Sequence, residues 1–460
     1  MNTKCTIRFN MMRRAVLILG IVFWLCIGAA RAESLSLVRD EEIERAISFY
    51  LTPLFEQAGL DPKAMEIHLV KDDTINAFAA KGLHVFIHTG LILKADNAQE
   101  IIAVLAHETG HISGGHIVRL YENMRIAQRN MLLSMILGAV AAAAGGGADV
   151  AVGAVLGGAN TMQSAFAAYR RTEENAADQT AVSLLQKTGH DLSGLETIMR
   201  KLKAQESYQA TDDFVLWRSH PAAKERLDII LNQQKTKFSP DQKRMKKENA
   251  LFDRIKAKLT GFLYPTKKTL ERYPKTDTGL PARYARAIAA YKDGLFKDAL
   301  VQADSLIFDY PDDPYFYELK GQILFETGKA AQAVEPYQKA VSLLPDSALL
   351  RLGLIQAQIE KDDADALIEA EKSLSLFTNM SHEIPLIWRL QAVVYGRTGR
   401  QELASYALAE YNLALGNKKQ AESFARRAAE TLPEGMPAQL RAQDILHSLQ
   451  DKKSKNNPKR

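Results

Sequence analysis

Cysteine is nearly absent from this 460-residue chain: Cys5 and Cys26 are the only two. Both fall within residues 1–32, a segment whose pattern marks it for removal. The remaining chain has no thiol. Disulfides and thiolate ligands are therefore excluded, and any metal must be held by His, Asp or Glu. An excess of charge is missing as well. The whole chain carries 59 Lys and Arg against 54 Asp and Glu. Lys4, Arg8, Arg13, Arg14 and Arg31 lie in residues 1–32 with no acidic residue among them, and without those five the balance is 54 to 54. The net charge of +5 is thus no argument for nucleic acid.

Long apolar runs are scarce too. The first is AVLILGIVFWLCIGAA, 16 residues after a basic start and before Ala30-Arg31-Ala32. That order is a secretory signal peptide cleaved after Ala32, and the run is short for a membrane span. Leu25 stands where lipid attachment at Cys26 would want a small residue. The second is MLLSMILGAVAAAAGGGADVAVGAVLGG at 131–158, which Gly145–Gly147 and Asp149 interrupt. It reads as a pair of packed helices with a glycine turn rather than a membrane-apposed hairpin.

Between these runs, 42–60 has helical periodicity, and MEIHLV and LHVFIHTGLIL read as strands flanking DDTINAFAAKG. Asn97-Ala98-Gln99-Glu100 has the form of a capping box, so a buried helix starts there and ends at Gly114-Gly115. Another helix spans about 162–188. Residues 235–275 hold 13 Lys and Arg against 4 Asp and Glu, the pattern of a solvated helix closing a domain rather than one lying on anionic lipid.

From about residue 281 the chain repeats. Gly294 and Gly328, Ala299 and Ala333, and Pro311 and Pro345 are each 34 apart; Gly416, Ala421 and Pro433 keep the same internal spacing, and so do Gly399 and Ala404. This is the tetratricopeptide period, which stacks helix pairs into a curved solenoid with a concave binding face.

The chemistry concentrates at HETGH, 107–111. Residues four apart share one helix face, so His107 and His111 present two imidazoles to one ion. Glu108 is turned about 100° from His107, which suits a general base for the attacking water. The longer HExxHxxGxxH pattern fails by one residue, because Gly114 matches but the next histidine is His116 rather than residue 117. His116 is read as leaving the helix face. In ENAAD, 174–178, Glu174 is a candidate third ligand, Glu173 competes by position, and Asp178 is a candidate partner for a ligand histidine. His68, His84 and His88 lie in or beside the strands, and no spacing ties them to the metal.

NAFA (76–79), HETGH, ENAAD and SHPAAKERL (219–227), in that order, resemble the M48 family of zinc metallopeptidases. The resemblance covers nearly all of the chain after the leader. It implies one zinc per chain, His107, His111 and Glu174 as its ligands, Asp178 behind them and Glu108 as catalytic base. It matches Glu174 rather than Glu173, because Ala177 precedes Asp178 as in the family's E-x-x-A-D. It also implies catalytic roles for His220, as oxyanion donor or as a latch on the metal, and for Arg226 beside it.

The expected fold is α+β. A mostly helical, zincin-like metallopeptidase domain with a small antiparallel sheet (33–265) precedes a linker (266–280), an all-α tetratricopeptide solenoid (281–449) and a disordered basic tail (450–460). An edge strand near 83–88 is expected to take substrate as an added strand. The implied function is that of a periplasmic zinc endopeptidase. It degrades misfolded or stalled outer-membrane proteins and engages their assembly machinery through the repeats, with possible peripheral membrane contact. The rivals are a chaperone or scaffold with a latent peptidase site, and a small-peptide hydrolase.

Overall fold

The structure, a computed structural model, describes residues 36–141, 169–208, 240–361, 363–377 and 384–456. The leader at 1–32, most of the small apolar stretch, and His220 and Arg226 lie outside the described residues. Among the described residues no helix is long and apolar enough to cross a membrane.

The first part of the chain runs β1 (Leu37–Val38), α1 (Glu41–Gln57), β2 (Glu66–Val70), β3 (Ala77–Ala80), β4 (His84–His88), α2 (Thr89–Lys94), α3 (Ala98–Ser113) and α4 (His116–Ala141). A helix over 169–187, α5, follows, then α6 (Ser193–Tyr208) and α7 (Gln242–Leu263). The fold is the expected α+β unit followed by helical repeats, with one difference in the sheet. Its strand order is β1-β2-β4-β3, and β2 pairs with β4 in parallel, with Glu66 opposite His84. The sheet is therefore mixed rather than antiparallel.

The tight turn at Lys81–Leu83 causes this. Gly82 and Leu83 both have positive φ, at 97° and 63°, which folds β3 back against β4. Residues 71–76 carry the chain past the place of β4, so β3 becomes the outer strand. The stretch 83–88 is consequently interior to the sheet, not the expected edge; the free edge near the HETGH helix is β3. The AFAA strand escaped the sequence because alanines carry little strand preference. TGLILK coils into α2 instead of extending β4, since a short apolar run does not distinguish strand from buried helix.

One core joins these layers. Ile101, Ile102 and Leu105 of α3 pack with Ile43, Ile47 and Leu54 of α1 and with Leu69, Val85 and Ile87 from the inner face of the sheet. Asn97 caps α3 by accepting from the Glu100 N–H at 3.2 Å. Glu100 answers to the Asp96 N–H at 3.2 Å, one residue before the expected box partner.

The basic stretch does close the domain, and it is solvated in part: Lys243, Lys246, Lys247, Lys267 and Lys268 are exposed, while the second half of α7 is buried. Phe252, Ile255 and Leu259 of α7 join the core or are buried beside it, and Lys258 is only 4% exposed. Arg254 and Lys258 of that half point their charges inward. Arg254 binds Glu42 and Asp313, and Lys258 Nζ lies 2.8 Å from Asp40 and 3.1 Å from Glu42. Glu42 also accepts from the Tyr284 hydroxyl at 3.0 Å. Helix α7 thus belongs to both halves of the chain.

The second half is a succession of helices: α8 (Thr266–Arg272), α9 (Leu280–Lys292), α10 (Phe296–Asp309), α11 (Pro314–Glu326), α12 (Ala330–Leu343), α13 (Ala348–Lys361), α14 (Ala364–Ser375), α15 (Pro385–Arg397), α16 (Gln401–Ala414), α17 (Lys418–Thr431) and α18 (Pro437–Asn456). Helix α8 falls in the stretch expected as a linker, and α18 runs on past residue 450. Gly294, Gly328, Gly399 and Gly416 each turn one helix into the next with positive φ, and Ala299, Ala333 and Ala421 are fully buried where the helices cross. The 34-residue spacing therefore reports real geometry.

Candidate metal centre

Helices α3 and α5 bring the predicted residues together. His107 Nε2 and His111 Nε2 stand 3.0 Å apart. Glu174 reaches both, with Oε2 3.3 Å from His107 Nε2 and Oε1 3.5 Å from His111 Nε2. All three residues are buried. Zinc–ligand bonds of about 2.0–2.2 Å in a tetrahedron put ligand atoms about 3.3 Å apart, so the triangle has the right size. Two imidazoles and one carboxylate, converging in a buried pocket, suit a divalent ion of the zinc class.

The two rings are held from behind. His107 Nδ1 lies 2.9 Å from Asp178 Oδ1, as the sequence proposed. A ring that donates through Nδ1 presents the Nε2 lone pair forward. His111 has a counterpart the sequence did not provide: its Nδ1 is 2.9 Å from His116 Nδ1. His116 Nε2 is in turn 2.7 Å from Glu173, and Arg119 grips the same carboxylate at 2.8 Å.

His116 and Glu173 meet behind His111. His116 leaves the helix face of α3, as read from the sequence, but Gly115, with φ 68°, turns the chain so that α4 starts with His116 beside His111. Glu173, the alternative by position, is turned about 100° around α5 from Glu174 and meets His116. Burial first, and then the neighbouring His111, push the His116 imidazole down to about 4. It is therefore neutral near pH 7, able to accept from His111 Nδ1–H while donating Nε2–H to Glu173. Burial works to raise Glu173, but Arg119 and His116 outweigh it and hold the carboxyl below the ordinary glutamate range.

Glu108 is 2% exposed and lies beside the two histidines in sequence. Its Oε2 accepts from the Ala79 N–H of β3 at 2.9 Å. The NAFA stretch thereby ties the free edge of the sheet to HETGH. Spacing made His107 and His111 legible as ligand candidates, and the family resemblance made Glu174 the third. The histidine five positions after His111 was the one available signal for His116, and without the Gly115 turn it had no meaning.

Residues 39–234 match the model of peptidase family M48. Metalloprotease LoiP of Escherichia coli K12 is 31% identical over 195 residues, spanning 42% of this chain and 70% of that protein. The chain belongs to peptidase family M48. Within that family it is similar along most of its length to proteins named beta-barrel assembly-enhancing protease. The Yersinia pestis protein is 27% identical over 84% of this chain and 78% of its own. The Escherichia coli O157:H7 protein is 24% identical over 91% of this chain and 86% of its own. Membership makes the chain a metallopeptidase, and the buried His107, His111 and Glu174, a group able to hold a metal ion, lie within the matched region.

Proposed function

We propose that the chain is a periplasmic zinc endopeptidase that degrades misfolded or stalled outer-membrane proteins and assists their assembly through its repeat domain. The observation that carries the reading is the buried triangle of two Nε2 atoms and one carboxylate beside Glu108. The names of the Yersinia and Escherichia relatives support the substrate class. The signal-peptide pattern at 1–32 supports the compartment. The domain division follows the same reading, with the peptidase unit at 33–265, a linker at 266–280 and the repeats at 281–449.

His107, His111 and Glu174 hold the zinc. When bound, the ion supplies Lewis acidity toward the scissile carbonyl and acidifies water to a pKa of about 7. Glu108 removes the proton from the attacking water and passes it to the leaving amine. The Ala79 N–H fixes one carboxylate oxygen of Glu108 for that task. Asp178 and His116 set the tautomers of the two ligand rings. His220, as oxyanion donor or latch, and Arg226, orienting it, take their roles from the SHPAAKERL motif alone. An extended substrate adds to the sheet at β3, the free edge. The repeat helices supply a concave surface for the assembly machinery or for the substrate itself.

Replacing the native gene by one encoding Glu108→Gln tests the division of labour in the cell. Misassembled outer-membrane proteins should accumulate. Undiminished clearance would move the function to the repeats and leave the chain a scaffold.

A further inference from the structure

Among the described residues, two groups of three side chains bring candidate ligand atoms within 4.8 Å of one another. One is the HETGH centre. The other lies on the outer face of the sheet and comprises Glu66 and His68 of β2 and His84 of β4. Residues two apart on a strand share a face, and the parallel register sets His84 directly across from Glu66. The three side chains are neighbours by construction of the sheet.

Their ligand atoms form a triangle of nearly the same size as the buried one. His68 Nε2 is 3.0 Å from His84 Nδ1, His84 Nδ1 is 3.2 Å from Glu66 Oε2, and His68 Nε2 is 3.7 Å from that oxygen. In the HETGH centre the two Nε2 atoms are 3.0 Å apart, and the two Glu174 oxygens lie 3.3 and 3.5 Å from them, one facing each ring. Both sets bracket the spacing of about 3.3 Å that tetrahedral zinc requires.

The rings are also pre-set. His68 stacks on Phe86 with centroids 4.6 Å apart and planes 22° from parallel, and Phe86 stacks on Phe78. His84 leans over Gly82, where a Cβ would come within 3.0 Å of its Nε2; the turn leaves room for the ring because residue 82 is glycine. Arg39, whose charge is felt at His68, is clamped by both carboxylate oxygens of Glu44. Side-chain exposures of 56% for Glu66, 33% for His84 and 23% for His68 leave the cluster open to solvent, so an ion has an entry path and room for a water or a fourth donor.

We propose that Glu66, His68 and His84 form a second site for a zinc-class divalent ion, separate from the HETGH centre and bridging β2 to β4. Two imidazoles and a carboxylate favour that class over calcium or magnesium, which take oxygen ligands. With three ligands and an exposed setting it binds more weakly than the buried centre.

The test is titration of the metal-free full chain with Zn²⁺ against a chromophoric chelator, beside the double variant His68→Ala/His84→Ala. The native chain should take up one more equivalent than the variant, whatever the total. Equal uptake would overturn the proposal and leave the cluster a hydrogen-bonded group. Should the double variant fold poorly, Glu66→Gln, at an exposed position, carries the test. Loss of an outer-shell partner costs about 10–100-fold in metal affinity, so loss of a ligand should weaken the second equivalent at least as much. An unchanged second equivalent would remove Glu66 from the site and the proposal with it.

Discussion

Gly110 of HETGH faces Ala177 of ENAAD so closely that a Cβ on the glycine would sit 2.8 Å from the Ala177 carbonyl oxygen. The contact is backbone, so no flexible side chain can yield. Glycine at this position lets α5 lie against α3, and that approach brings Glu174 to His107 and His111. Helix preference alone favours alanine over glycine by about 0.5–1 kcal/mol. Packing gives the opposite sign here. Gly110→Ala should therefore displace Glu174 and cut peptide cleavage by about 100-fold, while circular dichroism shows the helices retained. A variant as active as the native chain would mean that α5 is not held by this contact.

The supports behind the two histidines should matter equally. Asp178→Ala removes the partner of His107 Nδ1, and His116→Ala removes that of His111 Nδ1. Each should lower zinc affinity by about 10–100-fold in chelator competition. A loss from Asp178→Ala alone would reduce His116 to a packing residue.

Acid should uncouple the two halves of the chain. Burial works to raise Glu42, but Lys258 and Arg254 outweigh it and hold the carboxyl below its ordinary value of 4.5. A depressed carboxylate contributes stability above its unfolded pKa and loses it as pH falls through the folded value. The contribution is therefore full at neutral pH, begins to fall below about 4.5 and is gone once pH has dropped through the lower folded value. Glu42→Gln leaves Arg254 and Lys258 short of a buried partner and should cost about 3–5 kcal/mol in denaturant unfolding at pH 7. The difference from the native chain should shrink at pH 3.5. A constant difference across that range would contradict the pairing.

Much of this was legible in the sequence, for reasons of period. HETGH offers His107 and His111 because a helix repeats its face every three or four residues, Glu174 was told from Glu173 by the family resemblance, and the 34-residue repeat announces stacked helix pairs. What stayed hidden depends on chain direction in space. The positive φ at Gly115 returns His116 to the site, and the turn at Gly82-Leu83 makes β4 interior and β3 the edge. The inward charges of α7 were hidden for a related reason. A run of lysines and arginines reads as solvated until Asp40, Glu42 and Asp313, distant in sequence, are seen to meet it.

The most direct test of the account is cleavage of an unfolded outer-membrane protein by the purified chain, beside Glu108→Gln loaded with the same amount of zinc. The native chain should degrade it, and the variant should be slower by about 10²–10⁴-fold with its zinc content unchanged. Equal rates for the two would contradict the assignment of HETGH as the peptidase site.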